Sequence, residues 1–420
     1  NLDQKIMKQL LVTCLDGKAL FDLYESQEKI LNLMIESISC IRDFKNNYIN
    51  TDDIKIEEKI GNISETQLIR GTILDKTIDS SAMPRSIDNP KILLINESLE
   101  TMKTKSESEI EITSPEQMSQ FLIQENTDLE ILVKKIIDAD IDVVISRKGV
   151  NDFVQEALAQ KGIITIRRVK YNDLWWLEKA TGAKTCKDIH KISVDEIGYA
   201  KKIYEKIIGG DKMIFVEGVN PKSVTLLLRA NSKRYLDELH RNALNGFKVL
   251  KNFIENPFIV FGAGSIEGII AEKIRNHAST IENKEQIVLE RFANSVEEIP
   301  LTLARNIGMN VIDTKTQLRA KFANSTNKIK WYGVDYNLRK ISDMTSSKII
   351  ETSIVKQQIF NTAVEATNMI LNIDDVFMKN QIDNTHCHVD GHVHAHHDGG
   401  KSHNHFEQEG LEQRQMHQYY

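Results

Sequence analysis

Proline is scarce in this chain, at six residues in 420, and glycine is held to twenty. A sequence so thinly punctuated is not loop-dominated or low-complexity, and long regular elements are expected. The four cysteines, Cys14, Cys40, Cys186 and Cys387, show no CxxC spacing and no dense framework. That fits free thiols in a reducing compartment. No apolar run reaches the roughly 18 residues that a spanning helix needs, so no membrane partner is expected. The start, Asn1-Leu2-Asp3-Gln4-Lys5, has no charged-then-apolar layout of a signal peptide; without an initiator Met, it reads as trimmed or truncated. Neither sign of charge dominates: 54 Lys and Arg against 60 Asp and Glu leave a net charge of -6, which gives no footprint for nucleic acid. The class left standing is a cytoplasmic α/β protein.

At 420 residues the chain is too long for one ordinary domain, so two or three are expected. Residues 5–50 read as helix, with Leu10, Leu11, Leu20, Leu23, Ile30, Leu31 and Met34 recurring at threes and fours. A shorter period at 54–76 predicts strands and turns. Lys91–Ile95 has the compact apolar run of a buried strand. Ser114-Pro115-Glu116-Gln117 has the cap, first-turn proline and following amide of a helix start. From 129 to 192, helix and strand alternate: a helix through Leu132 and Ile136, a strand at 142–145, a helix at 151–161 ended by Gly162, and a strand at 163–166. That alternation predicts a sheet covered by helices. Strands follow at 212–216 and 224–228, and the helical period returns at 233–320 and 349–380. The chain is thus expected to be helical at both ends with an α/β insert between them. Nine of the twelve histidines lie beyond residue 385, among Asp, Gly, Gln and Glu. Such a tail cannot bury a core and is expected to be disordered.

These segments, in this order, resemble a group II chaperonin of the thermosome and eukaryotic cytosolic type. The resemblance runs through Gly61-Asn-Ile-Ser-Glu-Thr-Gln-Leu-Ile-Arg-Gly71 with Asp75-Lys76, Met83-Pro84, Lys91–Glu100, Ser114–Met118, Asp142–Gly149 and Ala180-Thr-Gly182. It continues through Phe215–Gly218 with Asn220–Ser223, Ile299-Pro300, Asn306–Gly308, Trp331–Asp335, Ile350-Glu351 and Ile373-Asp-Asp375. It implies a multidomain α and α/β fold: a mostly helical, incomplete equatorial domain at 1–16 and 257–380, and a small intermediate domain at 17–59 and 220–256. An α/β apical substrate-binding domain with a helical lid protrusion occupies 60–219, and the His-rich tail 381–420. ATP with Mg²⁺ is the implied cofactor pair. The implied partners are unfolded client proteins and other chaperonin subunits in a double ring.

Gly262-Ala263-Gly264 sits where the family has a Gly-rich turn facing the nucleotide. By spacing alone it is a tight turn before a helix; with the resemblance it becomes a nucleotide contact. Asp335 and Glu351 match positions near the adenine and ribose, and a carboxylate can accept from both ribose hydroxyls. Read singly, they are solvated turn or helix acids. Asn242, in Arg241-Asn-Ala-Leu244, stands where the family has the aspartate that activates water; a neutral amide cannot be a general base, though it can orient a water. No Gly-Asp-Gly-Thr-Thr phosphate loop occurs, and that loop is expected in an N-terminal segment this chain lacks. Little or no turnover is therefore expected of this chain alone. An ATP-dependent chaperonin subunit is the favoured reading, and an ATPase-deficient holdase or scaffold the alternative.

Met118, Phe121 and Leu122 on the protrusion either grip clients or pack it against the apical core. Trp175-Trp176 reads as a partly buried pair or an interface pair. The tail histidines offer adventitious ligands without a shell to fix geometry, so no metal site is assigned. His190 and His240 read as ordinary helix-face residues.

Overall fold

The computed structural model describes residues 2–15, 24–43, 45–100, 127, 129–187, 189–323, 330–373, 385–387 and 393–395. The chain divides into two compact units, Asn1–Ile359 and Phe360–Tyr420. Met118, Phe121, Leu122 and the helix start at Ser114 lie outside the described residues.

The chain opens with helices α1 (Leu2–Leu15) and α2 (Tyr24–Ile41), then strands β1 (Ile54–Ile60), β2 (Gln67–Ile69), β3 (Gly71–Leu74), β4 (Ser86–Asp88) and β5 (Lys91–Ile95). Helix α3 (129–138) precedes β6 (Val143–Ser146), α4 (Asp152–Gln160), β7 (Ile164–Ile166) and α5 (Tyr171–Thr181). Strands β8 (Gly198–Ile208), β9 (Asp211–Gly218) and β10 (Val224–Ala230) lead into α6 (Lys233–Glu255) and β11 (Ile259–Phe261). Helices α7 (Ser265–Ala278), α8 (Glu285–Asn306) and α9 (Val311–Ala323) follow, then β12 (Tyr332–Asp335), β13 (Lys340–Asp343), α10 (Met344–Ser347), β14 (Ile350–Thr352) and α11 (Ser353–Leu371). In the second unit the short strands β15 (Thr385–Cys387) and β16 (Val393–Ala395) pair antiparallel, His386 opposite His394.

The helix expected through residue 50 ends at Ile41. Beyond it Asp43 turns the chain: its carboxylate accepts from the Lys45 N–H at 2.9 Å and the Asn46 amide at 2.8 Å, and Tyr48 pairs back on Asp43. An Asx turn offers the backbone this alternative to another helical turn.

Two sheets organise the first unit. The smaller, in the order β1-β10-β2, joins β1 and β10 in parallel from Ile54↔Val224 to Ile60↔Ala230. One face packs on α1, α2 and α6 through Leu10, Leu11, Ile30, Met34, Leu226, Leu228 and Phe247. The larger has seven strands, ordered β3-β9-β8-β5-β6-β7 with β4 on β8. Its centre is buried on both faces, as the unbroken runs Ile-Leu-Leu-Ile and Val-Val-Ile require. Ile92, Leu94, Val143 and Ile145 meet Leu174 and Leu177 of α5 on one side. Leu93, Ile95 and Val144 meet Ile136 of α3 and Val154 and Leu158 of α4 on the other. Asn151 caps α4 by accepting from the Phe153 N–H at 2.9 Å, and Gly182, at φ 75°, ends α5.

Helix α5 also ties the larger sheet back to β1. The Lys55 ammonium, 6% exposed, donates to Asp173 at 2.6 Å and to the Ile73 carbonyl at 2.6 Å. Trp176 Nε1–H donates to the Asp52 carbonyl at 2.9 Å, and Lys179 pairs with Asp53. Both tryptophans are half-buried, in the partly buried arrangement.

In the C-terminal helices the centre of charge is Glu297 of α8, 3% exposed. It accepts from Arg275 of α7 at 2.6 Å and from Arg319 of α9 at 2.7 and 2.5 Å. Burial by itself would raise its carboxyl, but the Arg319 hydrogen bond and the charges of Arg275, Arg319 and Lys315 outweigh it and hold the group below the ordinary carboxylate range. A depressed acid contributes stability above its unfolded pKa and loses it as pH falls through the folded one. In urea denaturation followed by circular dichroism, Glu297→Gln is expected to lower stability at pH 7 by about 1–3 kcal/mol and to flatten the loss of stability on acidification. An unchanged acid limb in the variant would show that this triad does not set it.

Candidate functional site

Five elements distant in sequence meet around residues 262–264. Strand β11 pairs antiparallel with β14, Val260 opposite Glu351, and the Gly262 N–H donates to the Ile349 carbonyl at 3.0 Å. The turn then runs through two left-handed residues, Ala263 at φ 56° and Gly264 at φ 76°, directly into α7. A Cβ on Gly264 would lie 2.5 Å from the Pro300 side chain of α8, so only glycine lets the turn seat there. The Ala263 carbonyl accepts from the Val334 N–H at 2.9 Å, which fixes the turn against β12.

Three acids surround the turn. Glu351 of β14 lies over Gly262: a Cβ there would stand 2.4 Å from Glu351 Oε1. Glu351 Oε2 pairs with Lys356 of α11 at 2.7 Å, and the same ammonium donates to Glu267 Oε1 of α7 at 2.8 Å. Burial by itself would lower the Lys356 pKa, but Glu267 and Glu351 outweigh it and hold the ammonium above its ordinary range. Asp335 is 5% exposed and anchors the β12–β13 turn, accepting from the Asn337 and Leu338 N–H groups at 3.0 Å and from the Ser347 hydroxyl at 3.1 Å.

Among the described residues, Ser265 Oγ and Glu267 Oε2 are buried here without a protein partner, in residues 0% and 2% exposed. Natural interiors rarely leave such groups unpaired. The Ser265 N–H of α7 donates back to the Gly262 carbonyl at 3.1 Å; a helix start leaves its other first-turn amides without intrahelical partners, and positive helix ends attract anions. The group therefore combines a helix start, two buried side-chain polar atoms and a carboxylate held at its rim. A separate concavity of 770 Å³, lined by Gln4, Lys5, Asn32 and Glu36, shares no residue with it.

Gly262, Ala263, Gly264, Asp335 and Glu351 are thus brought together. Asn242 is not joined to them by any hydrogen bond or ion pair among the described residues. It lies on the buried face of α6, 1% exposed, where its amide donates to Glu238 at 3.3 Å and its Oδ1 has no partner. His240 shares Glu58 with Lys233, two turns earlier on α6: its Nδ1 contacts one carboxylate oxygen and the Lys233 ammonium the other. Sequence reading passed over Lys356 and the part played by Glu267. The only signal was Glu351 five residues before a lysine, and that spacing means nothing until β11 and β14 pair.

A multidomain chain with a covered α/β sheet inserted between helical segments, and a Gly-Ala-Gly turn before a helix in the last of them, defines the class. The sequence model of the TCP-1/cpn60 chaperonin family matches residues 1–381. A thermosome subunit of Pyrococcus horikoshii is 36% identical over 385 residues, covering 91% of this chain and 69% of the relative. A thermosome subunit alpha of Sulfurisphaera tokodaii is 38% identical over 376 residues, covering 88% of this chain and 66% of the relative. The solved open-state monomer of a group II chaperonin from Methanococcoides burtonii superposes with a TM-score of 0.63 at 29% identity, covering 88% of this chain and 86% of that one. The chain belongs to the TCP-1/cpn60 chaperonin family, and its multidomain fold is that of the group II chaperonins.

Ala263 carries a Cβ in a left-handed conformation, which costs about 1–2 kcal/mol in an L-residue. Ala263→Gly is expected to stabilise the chain by about 1 kcal/mol in urea denaturation. Gly262→Ala, by driving its Cβ against Glu351, is expected to destabilise it. Equal stabilities for the two variants would overturn the turn geometry described here.

Proposed function

We propose that this chaperonin subunit binds ATP at the 262–264 turn and uses nucleotide state to control the capture and release of non-native polypeptide within a ring of chaperonin subunits. The observation that carries the nucleotide part is Ser265 Oγ, a hydroxyl donor buried without a partner among the described residues, at the start of α7 beside Glu351. The α7 amides would take the phosphates, and Glu351 would accept from the ribose. Asp335, occupied with its own turn, shapes the rim rather than lending its carboxylate. Mg²⁺ belongs to this reading as the counter-ion of the phosphates. Among the described residues no group of three or more His, Cys, Asp or Glu is set to hold a metal.

In this reading residues 1–16 and 257–380 form the nucleotide domain, 17–59 and 220–256 the intermediate one, and 60–219 the client-binding one. Met118, Phe121 and Leu122 are the proposed client contacts. No described helix is long and apolar enough to cross a membrane, and action in the cytoplasm is part of the proposal. Hydrolysis requires closure to carry Asn242 of α6 toward the turn. There a neutral amide can orient water but cannot take its proton.

Calorimetry with ATP on the 420-residue chain, beside Asn242→Asp, tests this reading. ATP is expected to bind both proteins, with turnover rising in the variant by about 10²-fold or more. Failure of ATP to bind either folded protein would sink the nucleotide reading.

A further inference from the structure

The contact that gives Glu351 its place is made by a residue outside the turn. Lys356 lies 13% exposed between Glu267, 3% exposed, and Glu351, 28% exposed, with one ammonium at 2.8 and 2.7 Å from the two carboxylates. Without that cation two anions would face each other at the turn. Glu267 has no room to retreat, whereas Glu351, the more exposed, would swing outward to water. The distribution of atoms is informative too. Lys356 takes Oε2 of Glu351, while Oε1 stays over the Cα of Gly262, at the spot where a Cβ would clash. The glycine and the lysine together leave one carboxylate oxygen aimed across the turn and uncommitted to the cation.

Resting on the nucleotide reading above, we propose that Lys356 is a positioning residue for ribose recognition: by bridging Glu267 and Glu351 it holds Glu351 Oε1 where the sugar hydroxyls of a bound nucleotide reach it. Lys356 touches no ligand in this role and acts through Glu351. A structural role alone would affect every nucleotide equally. The proposed role separates nucleotides by their sugar, because a hydrogen bond from a hydroxyl to an ionised carboxylate is lost only where the hydroxyl exists.

The test compares ATP with 2′,3′-dideoxy-ATP by calorimetry on the full chain. The wild-type protein is expected to favour ATP by roughly tenfold or more. Lys356→Met is expected to bring the two ligands to within about twofold of each other, by weakening ATP and leaving the dideoxy compound as it was. Lys356→Arg keeps the bridge and most of the preference. Should Lys356→Met fail to fold with Glu267 left unpaired, Lys356→Met/Glu267→Gln removes the cation and the buried anion together and is expected to show the same loss. A folded Lys356→Met or double variant that keeps the wild-type preference overturns the role of Lys356 while the site stands. A wild-type chain that binds ATP without preferring it to the dideoxy compound overturns the ribose contact. A wild-type chain that binds neither overturns the nucleotide reading and this inference with it.

Discussion

Everything between residues 61 and 223 hangs on seven paired residues, Ile54–Ile60 against Val224–Ala230. The pairing is parallel, and parallel neighbours cannot be closed by a tight turn; they need a crossover. Here the crossover is the whole larger sheet with its covering helices. The pairing is possible only if the chain, after building that sheet, returns with Val224 beside Ile54. Helix α5 sees to this from the inside. Ser223 Oγ donates to the Trp176 carbonyl at 2.9 Å and the Lys222 N–H to the Lys179 carbonyl at 3.0 Å, while Lys55 and Asp52 hold the same helix from the outgoing strand. One helix thus grips the outgoing and the returning chain.

The junctions of the fold share a chemical character. Lys55 with Asp173, Glu297 with Arg275 and Arg319, and Lys356 with Glu267 and Glu351 each place a buried charge between different elements. Such pairs add little net stability, because taking both charges from water costs nearly what their attraction returns. An apolar contact tolerates sliding by a fraction of a residue, whereas a buried ammonium between two carboxylates does not. These clusters therefore fix register between elements more than they hold them together, and the sequence places them where a small shift would spoil the 262–264 turn or the seating of the larger sheet.

The legible part of the sequence was the part whose environment is simple. Strands β5 and β6 are buried on both faces, so their residues are apolar without interruption. Helices α4 and α5 end where Gly162 and Gly182 adopt φ of 77° and 75°. The eleven-residue β8 escaped notice because its buried residues, Gly198, Ala200, Ile203 and Ile208, do not alternate, the register shifting between Ala200 and Lys202. Its best signal was local: Gly209 and Gly210, at φ 63° and 94°, form the two-residue hairpin turn into β9. Strands β11 and β14 could not be read at all within helical stretches, since three residues carry no period and each exists only through the other. The site follows the same division. The turn and its two acids were found because they lie in recognisable strings, whereas Lys356 and the bridging role of Glu267 belong to a contact created by the β11–β14 pairing.

Asn242 is the point where sequence and structure must be read together. Taken as a string, Arg-Asn-Ala-Leu resembles a family stretch that has an aspartate in place of the amide. In the structure the amide donates to Glu238, one helical turn back, and Glu238 also pairs with Arg241 at 2.8 Å. An ionised aspartate at 242 could not donate; it would set a second negative charge against Glu238 inside a face of α6 that is otherwise apolar. Like charges at this spacing on a helix repel, and burial adds to the cost. The hydrogen-bond donor at 242 and the presence of Glu238 one turn upstream are therefore one arrangement, not two. The amide suits its own helix better than the carboxylate would.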